Sequence, residues 1–438
     1  MIPILRLDNA QDRQRVESLL ARLRLAPADV ALGRGPEVLA VNEILADVAK
    51  RGDDAIVDSS RKFDDPRFTI DQIHVKPAEM AEAANRIPIA QMSAIRQAIM
   101  QVRAYQEAMM PPAPPQFQRP GVTLGMRFTP VDSAGLYFPG GKASYPSSLI
   151  HLAVPAQVAG VKRIAVATPP SKYGRSDLVL AAAHELGLTD VFRAGGAAAV
   201  AALAFGTKTI AAVDKIVGPG NTFVQLAKRA LAGCVGIDGF LGPSEILVLA
   251  DESANPAFIA ADLIAQAEHD PGSCFLLTTS QKLASQVVVE IEIQGRSLSR
   301  LGALEKALRD WSAAIVGDSM DDLIALADQF AAEHVNLQTR DDEGVLAKLK
   351  HAGAVFVGPY SPVAAGDYVA GPSHCLPTNT TARFTSGISV YEFLRRSSVV
   401  RYDAKGLESD AGAVEMLAKA EGLDGHAASV RIRSEPKI

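Results

Sequence analysis

Cysteine, aromatic residues and charge of one sign are all scarce in this 438-residue chain, and each scarcity removes a class of function. The three cysteines, Cys234, Cys274 and Cys375, are too few and too scattered for a disulfide framework or a thiolate zinc knuckle. They fit a reducing cytoplasm. Aromatics make up 5% with a single Trp311, which argues against stacking platforms for single-stranded nucleic acid. Lys+Arg 44 against Asp+Glu 49 leaves a formal charge of −5, and no long basic run offers a local footprint, so no nucleic-acid partner is expected. The N-terminus breaks its short apolar start with Arg6 and Asp8 and lacks the apolar core of a secretory signal. The longest uncharged stretch, Ala143 to Val161, contains Pro146, His151 and Pro155, whereas a membrane span needs about 20 predominantly apolar residues. No G-x-G-x-x-G follows a strand, and no G-x-x-x-x-G-K-[ST] occurs.

What remains is an ordinary globular composition, 48% hydrophobic and 21% charged, long enough for roughly two to four domains. Asp12 to Leu25 reads as a charged amphipathic helix, an appendage or oligomer contact. Glu37 to Arg51, stopped by Gly52, and Met92 to Met109, running into a Pro-rich connector, are further helices. Beyond them the texture changes. Strands at Val161–Thr168, Val191–Ala194, Lys215–Val217, Ile246–Ala250 and Phe275–Thr279 alternate with helices at Asp177–Leu186, Ala197–Ala204 and Ala257–Glu268. That alternation predicts an α/β fold with parallel sheets. The last quarter is mixed, with a helix near Gly412–Glu421 and a short, basic, strand-like SVRIR.

Chemistry-bearing residues are dispersed. Four glycine clusters, LYFPGGKASYP, RAGGAAAVAALAFG, KIVGPGNTF and FLGPSEIL, mostly follow strands or open helices, where free backbone N–H groups can approach a pyrophosphate. Singly each is an ordinary tight turn; four together suggest a ligand-lined sheet edge. Gln266 and His269 share a helix face at i,i+3, a geometry for two metal ligands or merely for a helix-end histidine. Asp367 lies in a Gly/Pro-rich loop with His374, where an Asp is usually a turn former, and His426 follows the last helix as a tail histidine. Glu333 and His334 are neighbours at a helix-to-strand junction. Adjacent side chains point apart, so the pair reads as two separate proton acceptors, or merely as a helix-end Glu and His with no task, rather than as one relay. Cys375, beside His374, is better read as a packed cysteine than as a nucleophile.

Taken together, GLYFPGGKASYPSS, KIVGPGNTFV, GIDGFLGPSEILVLAD, DLIAQAEHDP, AAEHVNLQT, GAVFVG…AGDYVAGPSHCLPT and EGLDGHAASVRIR resemble the histidinol dehydrogenase family, in the same order and from about Ala31 to Arg433. The resemblance implies NAD-dependent four-electron oxidation of L-histidinol, through the aldehyde, to L-histidine, with one zinc. It implies Gln266, His269, Asp367 and His426 as metal ligands, which with Ser244, His334 and Glu421 also contact substrate. Glu333 and His334 become the catalytic bases, and Tyr137 and Asn221 the cofactor contacts. A homodimer is implied whose C-terminal tails complete each other's sites, bringing in Glu421 and His426.

The implied fold has two incomplete Rossmann-like domains. Residues 1–29 form an N-terminal helical segment, 30–136 with 245–384 a first α/β domain, 137–244 a second, NAD-binding one, and 385–438 an exchanged tail. Four positions depart from the family's habit. Ala198 stands where Gln is common, which would cost the cofactor roughly 0.5–1.5 kcal/mol of hydrogen bonding. Leu241 replaces Ala, and Asn379 and Thr380 replace paired glycines. A related zinc alcohol dehydrogenase acting on another small polar alcohol, and a metal-dependent binding protein without turnover, are the alternatives.

Overall fold

The alternation of strands and helices folds into two parallel sheets, seen in a computed structural model that describes residues 2–24, 35–140, 143–239, 242, 244–269, 272–296, 298 and 301–434. In chain order the strands are β1 (Ile4–Arg6), β2 (Phe117–Arg119), β3 (Val122–Pro130), β4 (Ser133–Tyr137), β5 (Arg163–Thr168), β6 (Asp190–Arg193) and β7 (Lys215–Val217). They continue with β8 (Gly236–Ile237), β9 (Ser244–Ala250), β10 (Gly272–Thr278), β11 (Ala313–Val316), β12 (His334–Gln338), β13 (Ala354–Val357) and β14 (Leu394–Tyr402). One sheet runs β6-β5-β4-β7-β8 and the other β1-β11-β10-β9-β12-β13, every pairing parallel. A third, antiparallel sheet, β14-β3-β2, was not anticipated. Its strands are mostly exposed on both faces and carry no apolar run or clean alternation to announce them.

Parallel strands covered on both faces must be apolar on both, and β10, Gly-Ser-Cys-Phe-Leu-Leu-Thr, is buried throughout. Along β9 the pleat sends Ile246 and Val248 into one core and Leu247 and Leu249 into the other. The five-stranded sheet is sandwiched likewise, Leu136 on one side and Tyr137 on the other.

Three expectations need correction. The first helix, Ala10–Leu23, is no appendage: Val16, Leu19, Leu20 and Leu23 are buried in the core of the six-stranded sheet, which β1 joins as an edge strand. The boundary expected at 29/30 lies outside the described residues. Residues 36–108, grouped with 245–384 on resemblance, pack instead on the five-stranded sheet. There Val41, Leu45 and Ile56 join one core and Met80, Met92 and Val102 the other. Amphipathic periodicity says that a helix has a partner face, not which sheet supplies it. Finally, SVRIR is not a strand but the end of helix Asp424–Ser434. It packs back on helix Ala404–Ala420 through Ala427 and an Arg431–Glu415 ion pair at 3.0 Å.

Candidate active site

Setting β1 aside, both parallel sheets follow the order third, second, first, fourth, fifth along the chain. Each therefore has a point beside its first strand where the winding reverses, between β4 and β7 and between β9 and β12. Such crevices are where open α/β sheets bind ligands. The candidate residues cluster at both.

At the six-stranded sheet they gather at the amino ends of the strands. Ser244 opens β9 and His334 opens β12. Gln266 comes from the last turn of helix Pro256–Ala267, and Asp367 from the short helix Val363–Tyr368. The Ser244 hydroxyl donates to Glu333 Oε2 at 2.6 Å, and the Glu245 backbone N–H donates to the same oxygen at 2.9 Å. Gln266 Nε2 donates in turn to Ser244 Oγ. His334 Nδ1 lies 3.1 Å from the Glu245 carbonyl and 3.4 Å from Glu333 Oε2, while Nε2 lies 3.8 Å from Asp367 Oδ1. Glu333 and His334 thus meet, contrary to the expectation for neighbours. Ala331 turns left-handed at φ 44, so Glu333 sits in a bend before the pleat begins and the alternation rule does not reach it.

Burial opposes the charge on His334, but the Glu333 and Asp367 carboxylates and the Glu245 carbonyl outweigh it and raise its pKa to about 9. Its Nε2 is buried without a hydrogen-bond partner among the described residues. Glu245, which sequence reasoning missed, lies beneath the pair. Burial pushes its carboxyl up to about 8, against a hydrogen bond from the Asn379 N–H at 2.9 Å. The structure accounts for the glycines expected at positions 379 and 380, and nothing in it explains their replacement by Asn379 and Thr380. Both are left-handed, φ 55 and 61, a conformation for which paired glycines are the unstrained choice.

Asp367 is braced from behind. His374 Nδ1 contacts its carbonyl oxygen at 2.8 Å, His374 Nε2 contacts Ser148 Oγ at 2.9 Å, and the ring stacks on His151 at 4.6 Å. Since a carbonyl only accepts, His374 carries its proton on Nδ1. Burial drives His151 down to about 3, so it is neutral. Cys375 is buried and its thiol pushed far up by desolvation, in keeping with a packed side chain.

The other metal candidates are solvent-exposed within one chain. His269 is exposed just beyond its helix, and Glu421 and His426 are exposed on the C-terminal helical hairpin. Among the described residues no three His, Cys, Asp or Glu side chains converge to hold a metal ion.

At the five-stranded sheet the candidates lie at the carboxyl ends. Tyr137 ends β4, and its buried hydroxyl accepts from the Gly196 N–H at 3.2 Å, with burial pushing the phenol up to about 12. Asn221 follows β7 and caps helix Thr222–Leu231, accepting from the Val224 N–H at 3.2 Å. Ala198 is buried in the first turn of helix Gly196–Phe205, in the same apolar cluster as Tyr137. Leu241 lies outside the described residues. No helix among the described residues is long and apolar enough to cross a membrane.

Titratable side chains at the amino ends of β9 and β12, and helix N-termini beside the carboxyl ends of β4 and β7, are the features of a two-sheet α/β protein that comparison with known proteins assigns to the dehydrogenases. Residues 37–434 match the histidinol dehydrogenase family model, and the chain belongs to that family. It is 47% identical to a histidinol dehydrogenase of Synechococcus sp. over 397 residues, covering 90% of this chain and 92% of the relative. A histidinol dehydrogenase of Geobacillus kaustophilus is 44% identical over 398 residues, 90% and 93% of the two chains. The crystal structure of the histidinol dehydrogenase from Elizabethkingia anophelis superposes with a TM-score of 0.91 at 32% identity, covering 99% and 98%.

Proposed function

We propose that the protein oxidises L-histidinol through the aldehyde to L-histidine, reducing two NAD, with a zinc ion holding the substrate. The observation that carries this reading is the chain of contacts Gln266–Ser244–Glu333–His334–Asp367, a buried acid–base pair set among oxygen and nitrogen donors of which Gln266 is buried and Ser244 and Asp367 are half-buried. The donors fit zinc in kind, being carboxylate, amide and imidazole without thiolate. They fall short in number within one chain, since His426 is exposed and takes no part in the pair's bonds among the described residues. Gln266, His269 and Asp367 would therefore hold the ion together with His426 from a second copy of the chain, which would bring Glu421 toward the substrate. Zinc bound there would supply a fixed point for the substrate's amine and imidazole nitrogens.

In its neutral form, which its raised pKa places above about pH 9, His334 takes the hydroxyl proton as the first hydride leaves the carbinol carbon; its buried Nε2, unpartnered among the described residues, is the atom facing Asp367. Glu333, whose Oε2 is held by Ser244 and the Glu245 N–H, takes a proton from water as it adds to the aldehyde. The resulting hydrate loses the second hydride. Two NAD, bound one after the other, would each supply the acceptor for one hydride. Tyr137 and Asn221 would contact it at the β4/β7 reversal point, where the turn residue Gly218 packs directly against the Tyr137 carbonyl.

The deciding experiment follows reduced-nicotinamide absorbance with L-histidinol, NAD and zinc, scored against histidine formed. Two reduced cofactors per histidine, lost on metal stripping and restored by zinc, are expected. No reaction from the folded, zinc-loaded protein would sink the reading and favour another small polar alcohol.

A further inference from the structure

Lys228 and Asp238 form an ion pair with neither side chain exposed to solvent at all. Such a pair carries a desolvation cost that an apolar pair of similar volume avoids, so stability alone is a poor reason to keep it. Among the described residues two further bonds of the pair converge on one residue. Asp238 Oδ2 accepts from the Gly218 N–H at 2.7 Å, and Lys228 Nζ donates to the Gly218 carbonyl at 3.0 Å. Gly218 has φ +121, and a Cβ there would overlap the carbonyl oxygen of Tyr137. The pair therefore holds both backbone polar atoms of a residue that lies directly against the end of β4. Gly218 opens the Gly-Pro-Gly-Asn turn that ends in Asn221. Lys228 belongs to the helix that Asn221 caps, and Asp238 follows β8 on the stretch leading to Ser244.

We infer that Lys228 and Asp238 are positioning residues for the cofactor: they clamp Gly218 so that Tyr137 and Asn221 present one preformed surface to the dinucleotide. This inference rests on the proposed NAD site at the β4/β7 reversal point. A turn of two glycines and a proline has no side chains with which to anchor itself, and the clamp replaces that missing anchorage from outside.

Lys228→Met alone strands a buried carboxylate and risks the fold, so the double variant Lys228→Met with Asp238→Asn carries the test. It removes both charges, keeps an acceptor for the Gly218 N–H and deletes the donor to its carbonyl. The zinc-loaded, full-length double variant should melt near the parent. Its Kd and KM for NAD should rise about tenfold, the scale of one lost hydrogen bond, with KM for L-histidinol within about twofold. An unchanged Kd for NAD in the folded double variant overturns the clamp alone, and so does a parallel rise in both KM values. A parent protein that binds no NAD by calorimetry overturns the cofactor reading, and the clamp with it.

Discussion

The two parallel sheets share one strand order and use opposite ends of it. In the five-stranded sheet the ligand-facing candidates, Tyr137 and Asn221, follow the carboxyl ends of β4 and β7. In the six-stranded sheet Ser244, Glu333 and His334 stand at the amino ends of β9 and β12. The general rule for open α/β sheets points to carboxyl ends at the reversal of winding, so it finds the first group and would miss the second. Chain continuity accounts for the difference. The chain leaves the five-stranded sheet at the carboxyl end of β8 and enters the six-stranded sheet at the amino end of β9, from Ile237 to Ser244. Seven residue steps span at most about 25 Å, which brings these unlike ends near one another. A reaction shared between them needs a cofactor from one edge and proton acceptors from the other.

The sharpest way to test that division is to damage one edge and watch the other. Glu333→Gln, which keeps the acceptor for Ser244 but removes the base, should slow aldehyde oxidation by about 10²–10⁴-fold, well beyond its effect on alcohol oxidation. Separate assays of histidinol and histidinal as substrates measure this, and equal slowing of the two would remove Glu333 from water activation. Cofactor affinity should be untouched.

A partial effect is expected from mixing subunits. If His426 crosses to a second chain, His426→Ala and His269→Ala proteins should each be inactive, yet regain part of the activity once they exchange subunits, because each heterodimer then holds one site with every ligand. Exchange verified by mass, with no activity regained, would place the sites within single chains.

A smaller effect tests the buried carboxyl under the catalytic pair. Glu245 has a pKa of about 8 in the fold against an ordinary 4.5, so the folded chain keeps a proton that the unfolded chain loses. Stability from this group must then fall as pH rises from about 4.5 toward 8, by at most ~1.4 kcal/mol per pH unit. Glu245→Gln should flatten that decline in urea titrations of metal-free protein at several pH values. A decline of unchanged slope would clear Glu245 of the effect. Least of all should Asn379→Gly do: Asn visits left-handed φ readily, so the change in stability should stay under about 1 kcal/mol. A thermal melt shifted by many degrees would mean that the Asn379 side chain does more than fill the turn.

Much of the fold was legible because it is written locally. The five strands read between Val161 and Thr279 begin and end within three residues of those observed, since apolar runs and the glycines after them lie in contiguous sequence, while the two-residue β8 was missed. β1 was not legible, because three residues carry too little pattern, nor were the exposed strands β2, β3 and β14. SVRIR misled because apolar and basic residues alternate there as in a strand, while its real partner is the preceding helix. In the site, Gln266 and His269 could be paired by helical spacing, but Asp367 could be joined to them only through the family's motifs. Glu245, Lys228 and Asp238 were invisible for a different reason: a carboxyl or an amine in an amphipathic segment looks solvent-exposed until its neighbours are in place.

The sequence by itself determined the strands and helices at the centre of the chain, the parallel α/β class and, through motifs in order, the family, because each rests on residues close along the chain or on their succession. Tertiary structure alone decided that helices 36–108 serve the five-stranded sheet, that Glu333 and His334 share one carboxylate–imidazole contact, and that Lys228 and Asp238 grip Gly218. Those outcomes depend on distance and burial between segments far apart in sequence, and burial is what turns an ordinary lysine, aspartate or glutamate into a positioned one.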